Sequence, residues 1–210
     1  MKLAVSILSV KDNYSDWISK LNDTNITKLH LDIMDSTFTS NTSFSIEDAI
    51  NISKLSKKKL DVHLMSTDLD NILDEYIKMK PETINIHYEA TKDLDKYIKK
   101  IKKNKIKVGI AINPETNVSE LFDYFNKIDQ VLVMSVHPGE GGQSFIEETI
   151  YKLKLLSKLK ENHNFIIEVD GGINDTTIEK VEKYVDIVVS GSYITSDNYK
   201  EKINDILLQK

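Results

Sequence analysis

Two short segments of the chain each alternate a histidine with a carboxylate. They are His30-Leu31-Asp32-Ile33-Met34-Asp35 and Asp61-Val62-His63-Leu64-Met65. In extended chain alternate side chains share one side. His30, Asp32 and Met34 therefore fall together, as do Asp61, His63 and Met65, with Leu31 and Ile33 facing the other way. A third segment, Glu168-Val169-Asp170-Gly171-Gly172, ends on a carboxylate and two glycines. Imidazole nitrogens and carboxylates taken out of water together need partners, and a divalent cation satisfies several at once. His30, Asp32, His63 and Asp170 are thus a candidate metal-binding set. Two nitrogens and two oxygens suit Zn, Fe, Mn or Co without choosing among them. The chain has no cysteine, which excludes disulfides, thiolate zinc sites and a thiol nucleophile.

A second kind of chemistry is written in glycine. Pro138-Gly139-Glu140-Gly141-Gly142-Gln143-Ser144, Gly171-Gly172-Ile173-Asn174 and Ser190-Gly191-Ser192 each follow an apolar run. Glycine lets backbone N–H groups approach an anion closely, often beside a helix N-terminus. Gly141, Gly142, Gly171, Gly172, Gly191 and Ser192 are therefore the candidate phosphate cradle.

The elements that must position these residues recur along the whole chain. Short apolar, β-branched runs lie at Leu3–Leu8, Leu29–Ile33, Leu60–Leu64, Thr83–Ile86, Val108–Ile112, Val131–Met134, Phe165–Val169 and Ile187–Val189. Runs of this kind suit strands buried on both faces of a parallel sheet. Amphipathic stretches separate them, with apolar residues at helical spacing: Leu69, Ile72, Leu73 and Tyr76; Ile146, Ile150, Leu153 and Leu156; Tyr199, Ile203, Ile206 and Leu207. Ser45 before Ile46, and Asn174-Asp175 before Thr176, read as helix starts. Eight strand–helix units in 210 residues, with no flexible linker, predict one α/β domain over 1–210, a closed (β/α)8 TIM barrel. A doubly wound open sheet is the rival architecture, weakened by the lack of a Gly-x-Gly-x-x-Gly turn. Chemistry in such barrels sits at the carboxyl ends of the strands, where all the residues named above fall.

Composition narrows the partners. All 28 basic residues are lysine, there is no arginine, and the net charge is −5. That balance argues against a nucleic-acid surface. The run Lys99-Lys100-Ile101-Lys102-Lys103-Asn104-Lys105 reads as a solvated helix end. No apolar run approaches the ~18 residues of a membrane helix. Met1-Lys2-Leu3 leads into a strand-like run without the h-region of a signal peptide. A cytoplasmic protein with no membrane partner is expected.

Taken in order, Ser6-Ile7-Leu8-Ser9, His30-x-Asp32-x-Met34-Asp35, Asp61-Val62-His63-Leu64-Met65, His87-x-Glu89, Met134-Ser135-Val136-x-Pro138-Gly139-x-Gly141-Gly142-Gln143-x-Phe145, Glu168-Val169-Asp170-Gly171-Gly172-Ile173 and Gly191-Ser192 resemble the ribulose-phosphate 3-epimerase family. The resemblance implies a metal-dependent (β/α)8 isomerase of the pentose phosphate pathway, interconverting D-ribulose 5-phosphate and D-xylulose 5-phosphate. It implies one divalent ion on His30, Asp32, His63 and Asp170, with Asp32 and Asp170 also the acid–base pair. It assigns substrate contact to Ser6, His63, Met34, Met65 and Met134, places the phosphate on the glycine turns, and implies a homo-oligomer. The chain departs from the family pattern at Val5, Ser36, Thr39-Ser40, His137 and Glu140, all away from the ligand set but several in loops that frame a sugar.

Inverting C3 means removing a proton beside the C2 carbonyl and returning one from the opposite face, which two carboxylates can do while the metal stabilises the enediolate. Two alternatives stand beside this reading: a 3-epimerase of a six-carbon ketose phosphate such as D-allulose 6-phosphate, and a non-catalytic sugar-phosphate-binding barrel. A decarboxylase of the same barrel type would want a lysine where His63 stands. His87, near Glu89, either orients the ligand set or simply satisfies the fourth strand.

Overall fold

Apolar runs too short for helices form eight strands. In this computed structural model, which describes residues 1–208, they are β1 (Lys2–Ser6), β2 (Lys28–Met34), β3 (Lys59–Met65), β4 (Thr83–His87), β5 (Lys107–Ile112), β6 (Gln130–Met134), β7 (Ile166–Asp170) and β8 (Ile187–Ser190). Every neighbouring pair is parallel, and β8 closes on β1 to complete the barrel. Leu31, Ile33, Val62, Leu64, Ile84, Ile86, Ile110 and Val133 are fully or almost fully buried in the main core with the helices. The alternate set, His30, Asp32, Asp61 and His63, lines the barrel interior and is buried as well.

Among the described residues seven α-helices accompany the strands: α1 (Tyr14–Asn22), α2 (Ile46–Leu55), α3 (Leu69–Lys78), α4 (Leu94–Lys103), α5 (Thr149–Leu159), α6 (Ile178–Val181) and α7 (Tyr199–Leu207). The start of α2 is a capping box: Ser45 Oγ accepts from Asp48 N at 3.1 Å while Asp48 Oδ2 accepts from Ser45 N at 3.1 Å, satisfying two otherwise unpaired donors. On α3, Leu69, Leu73, Tyr76 and Ile77 turn inward, as their spacing predicts. The basic end of α4 is solvated and paired along the surface, with Lys100 on Asp74 at 2.9 Å.

Two helix expectations need correction. The connection from β5 to β6 carries no α-helix, only the 3-10 turn Val118–Leu121; Val118 and Leu121 bury there without a sustained amphipathic repeat behind them. Ile146 lies before α5, its carbonyl accepting from Thr149 N at 3.1 Å. Asn174 opens the helical turn ahead of α6, its carbonyl accepting from Ile178 N at 3.0 Å. Its Oδ1 takes the N–H groups of Thr176 and Thr177, each at 2.9 Å, an Asx-type turn that delays α6 to Ile178. The first strand ends at Ser6, where a 3-10 turn over Leu8–Asn13 takes over.

The barrel floor is polar. Lys28 Nζ lies 3.6 Å from Asp61 Oδ2 and within hydrogen-bond reach of Thr83 Oγ1 (3.2 Å) and Gln130 Oε1 (3.4 Å). Asn85 donates to Asp61 Oδ1 at 2.9 Å and accepts from Gln130 at 2.9 Å; Gln130 also donates to Glu168. Gly109 makes room for this layer, since a Cβ there would lie 1.7 Å from Asn85 Oδ1. Burial and the charge of Asp61 push Glu168 well above the usual carboxylate range. Burial would raise Asp61 too, but His30 and Lys28 hold it below that range. The floor therefore carries the ion pair of Lys28 with Asp61, with Glu82 Oε2 also 3.9 Å from Lys28 Nζ, beside a Glu168 that burial drives toward its neutral form.

Candidate active site at the barrel mouth

Immediately above this floor, His30 and Asp32 from β2, His63 from β3 and Asp170 from β7 bring four ligand atoms within 4.8 Å of one another. Register explains the convergence: Asp32 pairs with His63 and His30 with Asp61 across β2 and β3. His30 Nε2 lies 3.5 Å from Asp32 Oδ1 and 3.6 Å from Asp170 Oδ2. His63 Nδ1 lies 3.3 Å from Asp32 Oδ1 and 3.9 Å from Asp170 Oδ2.

Each histidine has its other nitrogen engaged away from the cluster. His30 Nδ1 meets Asp61 Oδ2 at 3.3 Å, and His63 Nε2 meets His87 Nε2 at 2.8 Å. His30 Nε2 is a buried polar atom without a hydrogen-bond partner among the described residues. When both rings are neutral with their protons on these outer atoms, the centre holds two bare nitrogens and two carboxylates, all acceptors. Only a cation satisfies such a set. The arrangement fits a divalent metal ion of the borderline class that takes imidazole and carboxylate together.

The electrostatics agree. Burial draws His30 toward neutrality, but Asp32, Asp61 and Asp170 outweigh it and hold the ring well above the ordinary histidine range. A proton then stands where a cation fits. Burial would raise Asp32, yet His30 and His63 drive it far below the carboxylate range. Asp170 goes the other way: burial, then the charge of Asp32, pushes it up to about 7. His63 is lowered, mainly by burial.

Over the cluster opens a cavity of about 320 Å³ that reaches Ser6, Asp32, Met65, Met134 and Asp170, together with Gly141, Gly142, Gly171, Gly172, Gly191 and Ser192. All six candidate phosphate positions thus border the one cavity. Ser6 Oγ donates to Asp32 Oδ2 at 2.6 Å, dividing the Asp32 carboxylate into one oxygen toward the histidines and one toward Ser6. Met34 pairs in register with Met65 and lines a neighbouring pocket with Phe44 and Tyr76. Gly172 has a packing role besides: its φ is +65°, and a Cβ would lie 2.6 Å from Phe145 N. A side chain at Gly142 (φ +76°) would meet only Ser192 Oγ, at 3.9 Å.

Pattern reading did not assign the supports beneath the cluster. Asp61 shares a face with His63 in sequence, but its service to His30 depends on the stagger between β2 and β3. Lys28 and Gln130 precede their apolar runs and carry no local sign of pointing inward.

The sequence model described as the ribulose-phosphate 3 epimerase family matches residues 2–195. The chain is 38% identical over 178 residues to the ribulose-phosphate 3-epimerase of Buchnera aphidicola subsp. Baizongia pistaciae, covering 81% of this chain and 78% of that protein. It is 33% identical over 198 residues to that of Helicobacter pylori strain J99, covering 92% and 90%. Among solved structures, the tryptophan synthase A-subunit of Pyrococcus furiosus superposes with a TM-score of 0.72 at 14% identity, covering 100% of this chain and 98% of that one. N-(5'-phosphoribosyl)anthranilate isomerase of the same organism gives 0.67 at 14%, covering 99% and 97%. At such identities these structures share the barrel fold alone. No helix among the described residues is long and apolar enough to cross a membrane. On the family match and the curated relatives, the chain belongs to the ribulose-phosphate 3-epimerase family of isomerases.

Proposed function

We propose that the chain, working as one barrel domain, inverts C3 of a ketose phosphate and interconverts D-ribulose 5-phosphate and D-xylulose 5-phosphate. The observation that carries this reading is the pair Asp32 and Asp170, two carboxylates from β2 and β7 that border the same cavity. Two positioned carboxylates can remove a proton from one face of a carbon and return one to the other.

In this reading His30, Asp32, His63 and Asp170 hold one divalent ion, of Zn, Fe, Mn or Co. When bound, it supplies positive charge beside the C2 oxygen, where negative charge develops as the C3 proton leaves. Asp32 takes or returns the C3 proton on one face through Oδ2, the oxygen that Ser6 holds toward the cavity, and Asp170 does the same on the other. Met65 and Met134 offer polarisable sulfur and no acidic proton, so they line the reacting carbons without quenching the carbanionic intermediate; Met34 backs Met65. The phosphate rests on backbone N–H groups of Gly141, Gly142, Gly171, Gly172, Gly191 and Ser192.

Turnover measured side by side on D-ribulose 5-phosphate and D-allulose 6-phosphate tests the substrate. The pentose phosphate is expected to have the higher kcat/KM. A preference for the six-carbon sugar would move the assignment to that epimerase, and turnover of neither would leave a binding barrel.

A further inference from the structure

His63 is held from behind by a buried chain that ends outside the barrel. Its Nε2 meets His87 Nε2 at 2.8 Å, His87 Nδ1 meets Glu89 Oε2 at 3.1 Å, and the two rings lie edge to edge, centroids 4.9 Å apart and planes 28° apart. His87 is fully buried, covered by Phe38 at 4.4 Å between centroids. Glu89 is fixed in turn: Oε1 accepts from Asn113 N at 2.8 Å and from the Thr116 hydroxyl. The turn that supplies these donors follows β5, in the one unit without an α-helix. Lys152 pins its far side, donating to the carbonyls of Asn113 at 2.8 Å and Thr116 at 2.6 Å.

The direction of this chain can be read from its outer end. A carboxylate only accepts, so His87 presents Nδ1–H to Glu89, and a neutral His87 then has a bare Nε2. A bare Nε2 opposite His63 Nε2 requires the proton to sit on His63. That leaves His63 Nδ1, the atom facing Asp32 and Asp170, as a lone pair. Reversing the chain would set His87 Nε2–H against a bare His63 nitrogen and turn a bare His87 Nδ1 toward the carboxylate, placing two acceptors 3.1 Å apart away from the ligand cluster, whereas the acceptor pair of the first order, His63 Nδ1 and Asp32 Oδ1 at 3.3 Å, lies inside the cluster that a cation fits.

We propose that Glu89 and His87 are positioning residues that fix the His63 tautomer and ring orientation, so that Nδ1 is presented to the metal before any metal arrives. The inference rests on the ligand set proposed above and extends it to residues that touch neither metal nor sugar. Groups that orient a metal-ligating histidine commonly govern about 10–100-fold in metal affinity.

The test uses Co2+ as the probe, because its d–d absorption reports ligand geometry independently of turnover. His87→Phe keeps an aromatic ring beneath Phe38 and removes the acceptor; His87→Gln restores an acceptor oxygen. In protein shown to be folded by circular dichroism, His87→Phe is expected to bind Co2+ about 10–100-fold more weakly with a shifted spectrum, and His87→Gln to stay within a few-fold of the parent. Glu89→Met, which strips the outer acceptor at a partly exposed position, is expected to weaken Co2+ binding several-fold and decides the matter if His87→Phe does not fold. Unchanged affinity and spectrum in His87→Phe, equal losses in His87→Phe and His87→Gln, or parent-like binding by Glu89→Met would each overturn the inference. A parent that binds no Co2+ would overturn the ligand set itself, and the inference with it.

Discussion

Asp32 Oδ1 and Asp170 Oδ2 lie 3.5 and 3.6 Å from the same atom, Nε2 of His30, and hold protons with opposite strength. The difference comes from company. Against the burial that would raise it, His30 holds Asp32 down by its charge and its hydrogen bond. Asp170 sees mostly burial and the negative charge of Asp32. The metal-free protein therefore keeps protons where a cation fits, on His30 and Asp170.

Metal uptake should displace those protons, which gives it a defined pH dependence. Below pH 7 both His30 and Asp170 are protonated in the metal-free protein. The apparent affinity should thus fall by up to about two decades per pH unit there. It should flatten as pH rises through the raised pKa of His30. Titration with Zn2+ at several pH values, with proton release followed by an indicator dye, checks this. Affinity independent of pH from 5 to 8 would contradict it.

Lys28 is a buried cation of the floor, and Asp61 would lose one of its charged partners on Lys28→Met, keeping His30. Removing one side of a buried ion pair costs about 3–5 kcal/mol, and loss of that order is expected in urea unfolding of the metal-free protein. Lys28→Met with Asp61→Asn should recover much of it, because burial drives the neighbouring Glu168 toward its neutral form. A single variant as stable as the parent would mean that the floor is not held by this pair.

Selectivity for a phosphorylated sugar should rest on Gly142. Its added side chain would project into the cavity toward Ser192, so Gly142→Val is expected to cut the preference for phosphorylated over unphosphorylated ketose at least about tenfold, the equivalent of one lost charge-assisted hydrogen bond. Metal content should be unchanged. Gly172→Val should lower stability as well, because its Cβ would press on the Phe145 backbone. Preference unchanged in Gly142→Val would place the phosphate elsewhere.

The barrel and its mouth were legible because both are written in local pattern. Apolar runs separated by helical periodicity give βαβ units, and alternation along β2 and β3 already puts His30 with Asp32 and Asp61 with His63. What could not be read depends on stagger between strands and on loop paths. That Asp61 serves His30 follows from β2–β3 register, and that Gln130 reaches Asn85 and Glu168 requires the barrel to close. The missing fifth helix shows the limit of counting units: β5 and β6 are joined by a chain whose turn is tied to Glu89 and Lys152 instead of coiling. Ser36 is a smaller case. It holds a left-handed φ of 66° at the position where the family pattern has glycine, a strain that residue type alone does not display.

The central claim is that Asp32 and Asp170 each serve one face of C3, and epimerisation of D-ribulose 5-phosphate in D2O, followed by proton NMR, tests it most directly. The parent should invert C3 and place solvent deuterium there in the product. Asp32→Asn and Asp170→Asn, with bound metal verified in each, should lose inversion by about 10²–10⁴-fold while the surviving carboxylate still exchanges the C3 proton of one epimer. Near-parent inversion by either variant with metal in place would contradict the account.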